Sequence, residues 1–214
     1  MIPRIIVDSS DAITDLCIMG RRAQTDKSPY NTMFHRHPYT AVYTMLFAPL
    51  SIKPINFAEI GIAMGHSGIM WDNYFSSPQT SIHMFDRDTN YIKCVNQMNR
   101  NRLKASLMDV GVDGDVRRAL QESSGGKEYD VIIDDSSHDF DHQIRIVKEA
   151  WSLLKSGGML IIEDIFRSRP EEDYVGELAD ILPLCAASYF VMCEHKLKWS
   201  PGWDNDKLLV LVKA

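Results

Sequence analysis

Residues 55–68 read INFAEIGIAMGHSG, and this stretch decides the fold. It begins as a short apolar run, which is typical of a buried β-strand. The run ends at a turn that contains Gly61, Gly65 and Gly68, and residues 66–76 follow with the pattern of a helix. Glycines at a strand-to-helix turn let the backbone approach a ligand closely. The stretch therefore predicts a strand, a ligand-facing turn and a helix, although such a turn can also be only a tight connection.

The same alternation of strand and helix continues along the chain. Apolar runs predict further strands at residues 81–85, 105–108, 129–134, 159–163, 186–193 and 207–213, and helical patterns occupy residues 89–101, 114–122, 140–154 and 171–181. Strands that alternate with helices imply a mainly parallel sheet with helices on both faces. We therefore predict an α/β fold, a Rossmann-like doubly wound sheet of seven strands.

The first 50 residues precede this repeating unit. Residues 39–48 have a helical pattern, and residues 19–38 read as a polar loop. We interpret residues 1–50 as an N-terminal helical cap on the same unit, so that residues 1–214 form a single domain.

Charge and composition limit the classes of partner. The 214 residues include 23 Lys and Arg against 29 Asp and Glu, for a net charge of −6. No basic surplus is available to neutralise phosphates, which argues against a nucleic-acid or anionic-membrane partner. The N-terminus resembles neither a signal nor a transit peptide, no apolar run approaches a membrane span of roughly 20 residues, and the four cysteines form no C-x-x-C pair. We expect a cytoplasmic protein, and we leave open a homo-oligomer.

The glycine turn distinguishes between two kinds of nucleotide cofactor. A dinucleotide-binding fingerprint requires G-x-G-x-x-G, but Ala63 stands at the middle glycine position. An NAD-dependent oxidoreductase is therefore disfavoured. Glu59 instead precedes Gly61 by two residues, and this spacing is a signature of S-adenosylmethionine (SAM) binding.

Acids at the ends of the next two predicted strands extend this interpretation. Asp86 ends the second strand, where a carboxylate can accept hydrogen bonds from both ribose hydroxyls of a bound nucleoside. The alternative is that Asp86 caps a helix or is a solvated acid of the turn, and Asp88 competes with it for the ribose role. Asp109 follows the third strand and could accept from the adenine amino group or cap the next helix.

A group of acids follows the fourth and fifth predicted strands. Asp134 and Asp135 end the fourth strand, and Glu163 and Asp164 end the fifth. Neighbouring strands lie about 4.8 Å apart, so Asp135, Glu163 and Asp164 should converge. Converging carboxylates repel one another unless a cation or protons compensate, and oxygen ligands suit Mg²⁺ or Ca²⁺. The alternative is that these acids are helix N-caps or solvated loop ends.

A histidine near these acids is a candidate general base. His138 lies three residues after Asp135, close enough to remove a proton from a substrate hydroxyl. It could instead cap the helix that follows. His142 is a second candidate for the base, and it could also be a surface residue.

These motifs together resemble the class I SAM-dependent methyltransferases. Within that class, the chain is similar to the Mg²⁺-dependent sugar O-methyltransferases of antibiotic biosynthesis (the mycinamicin and rhamnosyl type) and to cephalosporin-hydroxylase-type relatives. The motifs that carry the resemblance are Thr25-Asp26-Lys27, His37-Pro38-Tyr39-Thr40, Glu59-Ile60-Gly61, Ile133–His138 with His142, and Ile162-Glu163-Asp164.

The resemblance implies a role for most of these residues. It implies Mg²⁺ ligands at Asp135, Glu163 and Asp164, with His138 as the general base. Glu59, Gly61 and Asp86 match positions that contact SAM in this family, and Tyr39 falls in a segment that could fold over the cofactor. Together with Gly65, Asp109 and Asp134, these are the residues that we expect to bind SAM. The sequence departs from the family pattern at Ser136, at Ala63-Met64 and in its short N-terminal region.

We therefore expect a SAM-dependent, Mg²⁺-assisted O-methyltransferase with a small-molecule or glycan acceptor, acting on a sugar, glycan or polyol hydroxyl. Two alternative functions remain: a metal-dependent catechol or phenol O-methyltransferase, and a non-catalytic SAM- or carbohydrate-binding protein. Trp199 and Trp203 lie in the loop before the last predicted strand. They could stack on the face of a sugar or could anchor the loop by packing.

Overall fold

A computed structural model describes residues 2–32 and 35–214. Its strands are β1 Arg4–Asp8, β2 Asn56–Ile60, β3 Ser81–Asp86, β4 Leu103–Leu107, β5 Tyr129–Asp134, β6 Leu154–Ile162, β7 Cys185–Glu194 and β8 Lys207–Lys213. Its α-helices are α1 Asp15–Ala23, α2 Tyr39–Phe47, α3 His66–Tyr74, α4 Thr89–Gln97, α5 Asp115–Ser124, α6 Phe140–Ala150 and α7 Glu171–Glu177.

The strands form one sheet in the order β1-β7-β8-β6-β5-β2-β3-β4. Strand β8 runs antiparallel to both of its neighbours, and the other pairings are parallel. This arrangement confirms the predicted Rossmann-like, doubly wound sheet.

The sheet has one strand more than the seven predicted. Strand β1 was missed because it is short and its residues are largely exposed at the edge of the sheet. Its presence also means that the N-terminal cap is not purely helical, since β1 pairs with β7.

The predicted polar loop at residues 19–38 is also partly wrong. Helix α1 continues to Ala23, and Thr14 caps its first turn by accepting from the backbone N–H of Cys17. Several polar residues of the predicted loop, among them Lys27 and His37, are buried. Positions 33 and 34 of that loop lie outside the described residues.

Hydrophobic packing covers both faces of the sheet. Every residue of β2 and β5 is buried, and successive side chains of a strand point to opposite faces. Ile132 packs in the core beneath α5, α6 and α7. Val131 and Ile133 pack in the core beneath α1 to α4. Each such side chain contributes about 1.5–3 kcal/mol on burial, so the two cores fix the position of the strand ends.

The carboxyl ends of β2 to β6 lie along one edge of the sheet, because these strands are parallel. The chain moves from β2 outward to β3 and β4, and then returns to place β5 on the other side of β2. Such a switch point opens a crevice at the carboxyl ends of the strands. The antiparallel β8 brings the β7–β8 loop, residues 195–206, to the same edge. Among the described residues, no helix is long and apolar enough to cross a membrane.

Candidate active site

A cleft of about 470 Å³ occupies this edge of the sheet. The glycine turn after β2 lines one side of it, together with Asp86. Asp135, His138 and Asp164 line the other side. The volume falls within the roughly 300–1,000 Å³ that is usual for small-molecule sites.

The glycine turn is shaped by close packing between β2 and β5. Gly61 has φ +85°, and a Cβ added there would lie 2.1 Å from the carbonyl oxygen of Asp135. Only glycine therefore fits at this position. Gly65 is the N-cap of α3, and a Cβ there would lie 2.5 Å from a methyl group of Val95. Between them, Ala63 adopts φ +42°, a conformation that L-residues rarely adopt.

Asp86 stabilises this turn and lines the cleft. Its Oδ2 accepts hydrogen bonds from the backbone N–H groups of Ile62, at 3.1 Å, and Ala63, at 3.3 Å. Asp88 instead caps α4 by accepting from the N–H of Asn90 at 2.7 Å. Of the two candidates for the ribose, Asp86 therefore lies on the cleft, and Asp88 is engaged at the start of a helix.

Two other acids singled out on this side lie away from the cleft. Glu59 is fully buried beneath the turn, where its Oε2 accepts from the Ser67 hydroxyl at 2.8 Å and from the Trp71 indole N–H at 3.0 Å. Burial raises the pKa of Glu59 despite these donors and a nearby lysine. Asp109 lies beyond the cleft wall and accepts from the N–H of Gly111 at 2.9 Å.

Lys27 is buried among three carboxylates, and we call these four residues the lysine cluster: Lys27, Glu59, Asp135 and Glu163. Its Nζ donates to Asp135 Oδ2 at 2.5 Å and to Glu163 Oε2 at 2.6 Å, and it lies 3.2 Å from Glu59 Oε1. Only 1% of the Lys27 side chain is exposed. Burial disfavours the charged amine, but the carboxylates outweigh burial and raise the pKa of Lys27 well above its usual value. Lys27 therefore keeps its positive charge at neutral pH.

Two tyrosines of α2 hold the acids that follow β6. The Tyr43 hydroxyl donates to Glu163 Oε1, so both carboxylate oxygens of Glu163 are engaged. The Tyr39 hydroxyl donates to Asp164 Oδ1 at 2.5 Å. Helix α2 thus orients Asp164 so that its other oxygen, Oδ2, lies 3.1 Å from His138 Nε2.

His37 supports the same group from the N-terminal segment. Its Nδ1 lies 2.8 Å from Asp206 Oδ1 and 3.7 Å from Asp164 Oδ1. Burial opposes the charged imidazole, but these carboxylates raise the pKa of His37 to about 10. His37 therefore carries a positive charge at neutral pH.

His138 lies between two carboxylates that face the cleft. Its Nε2 is 3.4 Å from Asp135 Oδ1 and 3.1 Å from Asp164 Oδ2. Burial lowers the pKa of His138, but the two carboxylates outweigh burial and raise it to about 9. Lys27 and His138 in turn overcome the burial of Asp135 and lower its pKa to about 2.

The backbone at this pair of facing residues is strained. His138 has φ +58° and Asp164 has φ +55°, both in the left-handed region. For residues other than glycine this conformation costs about 1–3 kcal/mol each, and it is concentrated at functional sites.

Ligand atoms of Asp135, His138 and Asp164 lie within 4.8 Å of one another, a separation suited to a shared metal ion. Glu163, the third predicted metal ligand, is buried behind this group in the lysine cluster. Asp134, predicted to contact the cofactor, is also buried, and its Oδ1 accepts from the Ser136 N–H and hydroxyl.

Sequence reasoning missed the cationic partners of these acids. Lys27 and His37 lie in motifs that carry the family resemblance, but nothing in their local pattern predicts burial. His142, the alternative base, is bonded through Nδ1 to the Ser137 hydroxyl at 2.8 Å and does not belong to the group around His138.

A family model described as a methyltransferase domain matches residues 58–165, which is half of the chain. The chain belongs to the methyltransferase domain family. This confirms the predicted family. The matched residues of this methyltransferase run from β2 to the end of the acidic motif after β6, and they include both sides of the cleft.

Two relatives from Streptomyces olivaceus are similar in sequence to this methyltransferase. One is an 8-demethyl-8-(2-methoxy-alpha-L-rhamnosyl)-tetracenomycin-C 3'-O-methyltransferase, 29% identical over 61% of this chain and 33% of its own length. The other is an 8-demethyl-8-alpha-L-rhamnosyl tetracenomycin-C 2'-O-methyltransferase, 26% identical over 60% of this chain and 33% of its own length. The matched region thus spans about a third of each relative.

Solved structures share the fold of this methyltransferase. The MycE methyltransferase of the mycinamycin biosynthetic pathway, in complex with Mg and SAH, superposes with a TM-score of 0.69 at 18% identity, covering 94% of this chain and 55% of that one. An SAH-bound methyltransferase from Podospora anserina superposes with a TM-score of 0.57 at 14% identity, covering 96% and 90%. At these identities the likeness concerns the fold alone.

Proposed function

We propose that this methyltransferase transfers a methyl group from SAM to a hydroxyl of a sugar, with a divalent cation assisting. The observation that carries the proposal is the convergence of Asp135, His138 and Asp164 on the cleft that the glycine turn borders. Two rhamnose-directed O-methyltransferases among the relatives support the substrate class.

The side of the cleft at β2 and β3 suits the cofactor. A turn with glycine at its start admits a ligand close to the backbone, and Asp86 offers carboxylate oxygens at the cleft wall. Asp86 would accept hydrogen bonds from the ribose hydroxyls of SAM, and the backbone N–H groups of Ile62 and Ala63, which it now holds, would become free to donate to the ligand. Bound SAM supplies an electrophilic methyl group.

The side at β5 and β6 suits a hard cation. Asp135 Oδ1 and Asp164 Oδ2 face the cleft on either side of His138, and carboxylate oxygens are preferred ligands of Mg²⁺. Glu163 joins them as the third ligand only by exchanging its contact with Lys27 or Tyr43. A cation held here lowers the pKa of an acceptor hydroxyl.

His138 is the proposed general base. Asp135 and Asp164 raise the pKa of His138 to about 9, and a cation held by the same two carboxylates would lower it again, so that the neutral imidazole could receive the hydroxyl proton as the oxygen attacks. Asp135 and Asp164 orient the imidazole and stabilise the imidazolium that forms. The strand ends hold both reactants in register, which removes much of the entropic barrier.

A methyl-transfer screen tests the proposal. Purified protein is incubated with SAM and Mg²⁺ against a panel of rhamnosides, other glycosides and catechols, and SAH formation is measured with and without EDTA. We expect turnover with glycosides that EDTA abolishes. Turnover with catechols only would favour the phenol rival, and full activity in excess chelator would refute the cation.

A further inference from the structure

The β7–β8 loop contributes an aromatic ring to the acceptor side of the cleft. Trp203 lines the cleft and remains 47% exposed. Its ring centroid lies 5.9 Å from that of His138, at an interplanar angle of 90°. It also lies 5.3 Å from the ring of His35, at 35°. A large, half-exposed indole therefore stands directly beside the proposed base.

The surroundings of this ring combine apolar and polar contacts. The indole presents an apolar face, whereas Asp26 and Gln24 line the same cleft with groups that form hydrogen bonds. A pyranose has the matching character, since its C–H face is apolar and its rim carries hydroxyls. Aromatic side chains with one solvent-exposed face are suited to binding such amphipathic partners.

The geometry points to Trp203 as the platform on which the acceptor sugar stacks, with Asp26 receiving hydroxyls at the rim of the ring. This inference rests on the proposed function and deepens it. Because the Trp203 and His138 rings are only 5.9 Å apart, a sugar stacked on the indole presents a hydroxyl to His138. Trp203 thereby contributes to binding of the acceptor sugar beside the proposed base.

Trp199 provides a matched control on the same loop. It is 42% exposed, close to the value for Trp203. Its ring faces the Arg36 guanidinium at 5.7 Å, and its backbone pairs with that of Arg36 at 2.8 and 3.0 Å. Trp199 thus anchors the loop to the N-terminal segment, away from the wall of the cleft. A purely structural role for the loop tryptophans would make the two substitutions equivalent.

The test compares Trp203→Ala, Trp203→Phe and Trp199→Ala with the parent protein at saturating SAM and Mg²⁺. The acceptor is the glycoside that the screen identifies as the best substrate. We expect Trp203→Ala to raise the acceptor KM about tenfold or more, with kcat and the SAM Kd within about twofold. Trp203→Phe should recover most of the loss, and Trp199→Ala should leave KM unchanged. Equal melting temperatures verify that the variants fold.

A second readout does not depend on turnover. Adding the glycoside to the parent protein should change its indole fluorescence, and Trp203→Phe should remove that change, whereas Trp199→Ala should keep it. An unchanged KM in Trp203→Ala, or equal effects at Trp199 and Trp203, overturns the inference while glycoside methylation still stands. If the parent protein methylates no glycoside, the proposed function itself fails.

Discussion

The two sides of the cleft are built by opposite means. At the ends of β2 and β3, the wall is a backbone turn held by one carboxylate, Asp86, which accepts from two amides. At the ends of β5 and β6, the wall is made of carboxylates that are compensated by Lys27 and His37 from the N-terminal segment. On the first side Asp86 reaches its two amides across 24 and 23 residues of chain, whereas on the second Lys27 reaches Asp135 and Glu163 across 108 and 136.

This difference teaches how each side should respond to substitution. A turn shaped by backbone geometry tolerates substitutions that keep the backbone conformation. Substitutions that disturb this conformation should lower the affinity for the ligand. A buried group of charges depends on every member, because removing one leaves the others uncompensated. Substitutions in this group should therefore lower both turnover and the free energy of unfolding.

The largest expected effect lies at His138, the proposed base on the charged side. His138→Asn should lower kcat by about 10²–10⁴-fold, the usual contribution of a positioned general base. The control is His142→Asn, which removes an imidazole bonded to Ser137 and should cost far less. Steady-state kinetics at saturating SAM and Mg²⁺ decide between them. A crippled His142→Asn beside a nearly normal His138→Asn would reverse the assignment.

The second effect concerns stability on the same side. Lys27→Met leaves Asp135 and Glu163 without their shared cation, and breaking such a buried group costs about 3–5 kcal/mol. Lys148→Met removes a half-exposed lysine from the exposed Glu177, and exposed pairs contribute only about 0–1 kcal/mol. Urea unfolding at neutral pH measures both. Equal losses of unfolding free energy in the two variants would show that burial of the lysine cluster adds nothing to the cost of removing its cation.

Local sequence patterns predicted only part of the fold and of the site. The strands β2, β3 and β5 are short apolar runs bounded by turn residues, so local pattern predicted them and the edge at which Asp86 and Asp135 lie. Strand β1 lacks that pattern because its side chains are exposed.

The pairing of Lys27 with its buried carboxylates could not be predicted from a local pattern. Lys27 reaches Asp135 and Glu163 across 108 and 136 residues of chain. Whether a lysine lies beneath a cleft or in solvent depends on the path of the N-terminal segment over the sheet. That path is set by packing of α1 and α2 against α3 rather than by any local motif.

A third prediction tests whether the charged side costs stability. Burial of Asp134 raises its pKa to about 6, above the usual 3.8. The folded state therefore favours the protonated form, and ionisation weakens folding increasingly as pH rises from about 4 to 6. Asp134→Asn, which mimics the neutral acid, should stabilise the protein by up to about 3 kcal/mol at pH 7 and by little at pH 4. Urea unfolding at both pH values, with exposed Asp180→Asn as control, measures this. An equal gain at both pH values would contradict it.

The smallest expected effect lies on the turn side. Ala63 has φ +42°, a conformation that costs an L-residue about 1–2 kcal/mol. Replacing it by glycine removes this strain, but it also lowers stability by about 0.4–1 kcal/mol, because glycine makes the unfolded chain more flexible. Ala63→Gly should therefore raise stability by about 0.5 kcal/mol. The reverse change at a neighbouring position, Gly61→Ala, should destabilise, because the added Cβ would lie 2.1 Å from the Asp135 carbonyl oxygen. Thermal melts that rank these two variants the other way would refute the account of the turn.

The proposed division between a cofactor side at Asp86 and an acceptor side at Asp135 is tested most directly by calorimetric titration of SAM into the parent protein, Asp86→Asn and Asp135→Asn. Asp86→Asn should weaken SAM binding by about 10–100-fold, since hydrogen bonds to a charged group contribute roughly 1.5–3 kcal/mol. Asp135→Asn should bind SAM within about twofold of the parent, because its carboxylate faces the acceptor. A loss of SAM affinity in Asp135→Asn as large as that in Asp86→Asn would contradict the division.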